Sequence, residues 1–239
     1  MSDPDDPFRH HPGLRGKIKP PVESYFRDTH PDRLHARLTE AGAPTDDLYS
    51  VDEIEALRAR FLARHPGGDL WVFAYGSLMW DPAFDFVEIR RARAPLHERR
   101  FILKDTKGAR GTADAPGLMA ALDEGQGCHG LAFRIAAKDV SRETRRIWFR
   151  EQIAPAYHAR LIQLDTDHGK IDALGFVANH AAASIEADLS FEEQVRYCAT
   201  GQGFLGTSLE YVENLCGHFA ELGIVDPELE KLAAAARAY

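Results

Sequence analysis

The stretch "LWVFAYGSLMW", residues 70–80, divides the chain into two parts of different character. Its first six residues, Leu70 to Tyr75, are all apolar or aromatic, the pattern of a strand buried on both faces. Gly76 and Ser77 interrupt the run, yet Leu78, Met79 and Trp80 resume it at once, which a surface turn leading into polar residues would not do. Two readings fit these residues. The break is either a buried structural turn, or a strand end whose free backbone N–H groups point outward and bind a carboxylate or a developing oxyanion.

Downstream of this stretch, apolar or alternating runs at 99–104, 117–122 and 128–135 predict further strands, with glycine-rich and charged turns between them. Residues 139–153, "DVSRETRRIWFREQI", predict a helix with Val140, Ile147, Trp148 and Glu151 near one face. "ARLIQLD" and "IDALGFVAN" flank "TDHGK", a hairpin signal in which Gly169 takes positive φ. The last third is helical: Ser190/Glu193 and Thr207/Glu210 have capping-box spacing, Gly223 ends one helix, and Asp226-Pro227 starts the last. Strands first and helices later point to an α+β domain, here 69–239.

Upstream, residues 23–68 predict a helical N-terminal extension. One helix starts near Pro31, carries Leu34 and Leu38, and stops at Gly42; another opens on the Ser50/Glu53 capping box with Ile54, Leu57 and Phe61 on one face. Residues 1–22 hold five of the thirteen prolines and few apolar side chains. That composition predicts a tail that is disordered or draped on the surface, with little effect on stability when removed.

The 239 residues are 44% hydrophobic and 28% charged, as in an ordinary globular protein, and the net charge of −8 argues against binding nucleic acid or an anionic membrane surface. The start, "MSDPDDPFRHHPG", lacks the apolar core of a secretory signal. Cys128, Cys198 and Cys216 are too few and too scattered for a disulfide framework, so a cytoplasmic location is expected. None of the eleven histidines has metal-site spacing, and no metal or cofactor is expected. "GQGFLG", 201–206, matches a dinucleotide-binding pattern but follows a helix instead of a strand, so an interhelix loop is the better reading. Ser77 lacks the G-x-S-x-G elbow of a nucleophile. The arginines of "IRRARAPLHERR" read as a solvated strand face. Glu151, beside Trp148 and Phe149, has two readings: a carboxylate raised in pKa by aromatic surroundings and suited to general-base work, or an exposed glutamate paired with Arg150 or Arg146.

Taken together, "VFAYGSLMWDPAF", "RRFILKDTKGARGTADAPGLMAAL", "GCHGLAFRI", "REQIAPAYHARL" and "GTSLEYVENLCGHFAELGIVDPELEKL" resemble the gamma-glutamylcyclotransferases, specifically the ChaC-type branch that acts on glutathione. Y-G-S-L alone is weakly specific. Y-G-S-L-x-W, R-G-T, R-E and E-Y in this order over residues 71–232 are strongly specific. The resemblance implies a mixed β-barrel or sheet flanked by helices, and a small-molecule gamma-glutamyl substrate cleaved to 5-oxoproline without a cofactor. It implies that the backbone at Tyr75, Gly76, Ser77 and Leu78 holds the gamma-glutamyl group, that Glu151 is the acid/base, and that Tyr211 helps close the pocket. Arg142, with Glu143 beside it, stands where some relatives carry a second acid, so no second acid is assigned. Another gamma-glutamyl amine as substrate, or a non-catalytic binding module on the same scaffold, are the alternatives, and the number of subunits is left open.

Overall fold

The computed structural model describes residues 3–40 and 42–239. Two helices of the N-terminal extension, α1 (Pro31–Glu40) and α2 (Val51–Leu62), precede the first strand, β1 (Leu70–Ala74). Then come β2 (Glu88–Ala94), β3 (His97–Lys107), β4 (Thr112–Glu124) and β5 (Cys128–Ile135). Helix α3 (Val140–Glu151) leads into the hairpin of β6 (Tyr157–Thr166) and β7 (Gly169–Ala178). The chain ends in α4 (Phe191–Thr200), the small hairpin β8 (Gln202–Gly203) and β9 (Gly206–Thr207), α5 (Ser208–Glu221) and α6 (Pro227–Ala238).

Strand β1 explains its apolar run by its place in the sheet. It pairs antiparallel with β5 on one side and parallel with β7 on the other, so the order β1-β5-β2-β6-β7 closes on itself as a five-stranded barrel. The long β3–β4 hairpin attaches outside the ring, through β4 to β7. Phe73, Ala92, Ala132, Ile162 and Ala173, one from each barrel strand, belong to one buried cluster that fills the barrel. The alternate residues Val72 and Ala74 belong to a second core that also holds Trp148, Val212 and Leu215 of the covering helices. Both faces of β1 are thereby dry except at half-buried Trp71, which lies under Arg90 and Arg134, and a polar residue elsewhere on the strand would lack a partner.

The capping boxes form at Ser50/Glu53, Ser190/Glu193 and Thr207/Glu210, and Asp226 caps α6 by accepting from Leu229 N. Gly169 turns the β6–β7 hairpin at φ +99°. Two local expectations change. "GQGFLG" is a hairpin rather than an open interhelix loop, held by Phe204 N and Leu205 N donating to the carbonyls of Gly108 and Ala109. Arg99 is not part of a solvated face. Its side chain is 2% exposed, and its Nε donates to Tyr75 O at 2.7 Å, which anchors the end of β1.

The proline-rich start lies against the domain. Leu14 and Ile18 are buried in the helix-side core, and Arg9 pairs with the buried Glu88 of β2. Composition understated this packing because a few apolar side chains, Phe8, Leu14 and Ile18, suffice among many polar neighbours to fasten a short segment.

Candidate active site

The chain leaves β1 through a 3-10 turn, Ser77–Met79, whose N-cap is Gly76. Met79 N donates to Gly76 O, and Trp80 N and Asp81 N both return to Ser77 O, but no side chain caps the turn. As the first groups of a helical turn, Ser77 N–H and Leu78 N–H have no acceptor within it. Gly76 has φ −136°, which other residues also adopt; space, not φ, demands glycine here. A Cβ at Gly76 would lie 2.5 Å from Tyr211 Oη.

Helix α3 brings in Glu151. Val140, Glu143, Thr144, Ile147 and Trp148 are its buried positions, and Glu151 continues that stripe at the last helical residue. Its side chain is 14% exposed, and it opens into a cavity of about 810 Å³. Tyr75, Gly76, Ser77, Leu78, Glu151 and Tyr211 all line that cavity, so the structure brings every predicted site residue together.

Burial raises the Glu151 carboxyl above the ordinary range, outweighing the opposing charge and hydrogen bond of Arg150, whose Nε lies 2.9 Å from Glu151 Oε1. The ion pair with Arg150 therefore exists, but inside the cavity instead of on the surface. Its surroundings also differ from expectation. Trp148 packs into the core against Phe61 and Phe176, and Phe149 faces His30. The groups that feel the Glu151 charge are three phenols. Burial, with that charge, pushes Tyr75 and Tyr157 well above the usual tyrosine range, and burial pushes Tyr211 up to about 12. All three are thus neutral hydroxyls at any physiological pH. Tyr75 spends its proton on Phe176 O at 2.9 Å, and Tyr211 Oη accepts from Ala120 N at 3.3 Å.

Sequence reasoning assigned no site role to the cavity's arginines, Arg150 and Arg110 among them. Arg150 ties the helix to the turn, donating from Nη2 to Ser77 Oγ at 2.8 Å and from Nη1 to Asp81 O. Arg110 is 8% exposed, lines the cavity beside the Tyr211 ring, and makes no ion pair among the described residues. Close backbone packing sets its position. A Cβ at Gly117 would lie 2.3 Å from Arg110 O, and Ser208 Oγ donates to that same carbonyl at 3.2 Å. The R-G-T and P-G-L elements were the available signal, since glycines flanking an arginine mark close approach. Glu143 is fully buried but does not line the cavity. It holds Arg146 at 2.7 Å and Arg142 at 2.6 Å, and so ties together α3 and its surroundings.

Among the described residues no group of side chains has the makings of a metal site, and no helix is long and apolar enough to cross a membrane.

Comparison with known proteins gives a consistent set of likenesses. The model of the family described as ChaC-like protein matches residues 70–239. A glutathione-specific gamma-glutamylcyclotransferase of Escherichia coli (strain K12) is 35% identical over 187 residues, covering 77% of this chain and 80% of that protein. Glutathione-specific gamma-glutamylcyclotransferase 1 of Homo sapiens is 30% identical over 173 residues, covering 69% of this chain and 76% of its own. Among solved structures, a gamma-glutamyl cyclotransferase specific to glutathione from yeast superposes with a TM-score of 0.67 at 17% identity, over 72% of this chain and 97% of that one. That likeness shows a shared fold.

Proposed function

The chain belongs to the ChaC-like family, and from that premise we propose that it is a gamma-glutamylcyclotransferase that cleaves glutathione into 5-oxoproline and cysteinylglycine. The observation that supports this best is the convergence of Glu151, the 75–78 turn and Tyr211 on one cavity.

The nucleophile belongs to the substrate. Glu151 takes a proton from the α-ammonium, and the freed amine attacks the side-chain amide carbonyl, forming the C–N bond of a five-membered lactam. The carbonyl electrons move onto oxygen, then return to expel the cysteinyl nitrogen, which receives its proton from Glu151. The regenerated carboxylate takes the surplus proton of the ring nitrogen, leaving the neutral lactam, and passes it to the released amine. A raised carboxyl pKa suits both transfers, because it moves the group's base and acid strengths toward neutral pH. Holding the gamma-glutamyl chain folded supplies proximity, worth several kcal/mol in favourable intramolecular cases. Ser77 N–H and Leu78 N–H are the donors for the oxyanion, and Arg110 supplies a permanent cation for the α-carboxylate. Tyr211 and Tyr157 wall the reaction centre with neutral hydroxyls that do not compete for the proton.

A cytoplasmic setting accords with the free thiols Cys128, Cys198 and Cys216 and with the abundance of glutathione there. The test is incubation of the purified protein with glutathione, gamma-glutamyl-alanine and gamma-glutamyl-lysine, with 5-oxoproline as the readout. Glutathione should be turned over fastest. Faster release from either of the others would assign a different gamma-glutamyl amide, and no release from any would make the protein a binding module.

A further inference from the structure

Part of the cavity wall comes from outside the matched region. Tyr25, Phe26, Leu34, Arg37 and Leu38 of the N-terminal extension all line it. This segment is fastened in place: Arg27 pairs with Asp85 at 2.8 Å and with the buried Glu143 at 3.5 Å, and Phe26 stacks on the Arg150 guanidinium at 4.4 Å. At the mouth, the Arg37 guanidinium lies 4.1 Å over the ring of Phe204 on the β8–β9 hairpin and donates to Tyr25 Oη at 3.3 Å.

The other cations of this wall are committed to carboxylates: Lys19 to Asp81 at 3.3 Å, Lys104 to Glu186 at 2.9 Å, and Lys107 to Asp47. Arg150 is committed to Glu151. Among the described residues, two cavity arginines make no ion pair, the buried Arg110 and the exposed Arg37. Glutathione also carries two carboxylates. The α-carboxylate travels with the gamma-glutamyl end, and the glycine carboxylate lies two residues beyond the scissile amide, roughly 7 Å away when extended. A substrate that enters gamma-glutamyl end first leaves its second carboxylate toward the mouth.

We propose that Arg37 binds the glycine carboxylate of glutathione, making the N-terminal extension the element that selects the tripeptide over shorter gamma-glutamyl compounds. This role presupposes the glutathione reaction proposed above. The aromatic contacts orient the guanidinium beforehand, so less side-chain freedom is lost on binding than for a free surface arginine. Because the contact is remote from the reacting atoms and equal in ground and transition states, its effect falls on KM.

The test compares glutathione with its glycine monoethyl ester, which keeps every reacting atom and loses only the distal charge. The wild-type protein should prefer the free acid by about tenfold in kcat/KM, the scale of one charge-assisted hydrogen bond. In Arg37→Gln that ratio should fall toward one, through KM for glutathione. Arg37→Lys should keep part of the preference, and melting temperatures of both variants check that α1 is intact. A wild-type protein that releases 5-oxoproline from both compounds equally, or an Arg37→Gln protein that keeps the wild-type ratio, overturns the role of Arg37 while leaving the reaction standing. A wild-type protein that releases none from either overturns the reaction, and this role with it.

Discussion

A carboxylate on the last residue of a helix sits at the negative end of the helix dipole, and Glu151 adds burial to that disadvantage. Both effects favour its protonated form. Its folded pKa lies above the unfolded one, so the stability associated with this group is present at low pH and lost as pH rises through the folded value. Glu151→Gln should therefore melt at the same or a higher temperature than wild type near neutral pH, while turnover of glutathione falls on the order of 10²- to 10⁴-fold. The wild-type rate should fall, as pH is lowered, along a limb displaced above the ordinary carboxylate value of about 4.3. Retention of more than about a tenth of wild-type turnover in Glu151→Gln, against the loss expected of a missing general base, would assign Glu151 to the Arg150 ion pair alone. Gly76 answers to a different constraint. Gly76→Ala drives a Cβ to 2.5 Å from Tyr211 Oη, whereas Tyr211 Cζ would be 3.7 Å away, an ordinary contact. Gly76→Ala should lower the melting temperature in wild type and much less in Tyr211→Phe, a coupling that a double-mutant cycle reads directly. Equal costs in both backgrounds would mean that the hydroxyl is not what requires glycine.

Among the elements, the barrel strands other than β2 and the covering helices follow the sequence pattern closely, because each has one environment per face. The proline-rich start does not. Leu14 is fully buried, and the same segment carries Ile18 into that core and Lys19 to Asp81 at the edge of the cavity. Leu14→Ala should cost about 2–5 kcal/mol in denaturant unfolding, the range for emptying a buried leucine site. Removal of residues 1–22 should lower the melting temperature by at least several degrees, since each kcal/mol moves a domain of this size by roughly 2–4 °C. A truncated protein with the wild-type melting point would show that these side chains contribute no net stability.

At the scale of the whole molecule, one carboxylate joins three parts of the chain. Glu88 on β2 faces Arg90 at 2.6 Å on its own strand, Arg134 of β5 at 2.8 Å, and Arg9 of the start. Burial works to raise its pKa, but the Arg90 hydrogen bond and the charges of Arg90, Arg9 and Arg134 prevail and lower it. The sign is opposite to that of Glu151: this stability is present above the unfolded value of about 4.3 and is lost as pH falls through the depressed folded value. Melting temperatures should drop steeply below about pH 4.3, and Glu88→Gln should melt lower at pH 7 with a shallower acid slope. An unchanged slope would place the acid sensitivity elsewhere. From the sequence alone, the local facts follow: the apolar run of β1, the helical stripe of α3 near which Glu151 falls, the capping boxes, and the interruption at Gly76-Ser77, whereas the choice between a buried and an exposed Glu151 does not. Each depends on neighbours a few residues apart, where backbone period and side-chain type suffice. Only the tertiary structure decides what meets across the chain. Closure of the barrel needs β1 to pair with both β5 and β7, and Gly76 is confined by Tyr211 from a distant helix. The cavity mouth is completed by Arg37 from beyond the family-matched region. Such contacts arise from burying many separate apolar faces at once, and no window of residues contains the partners.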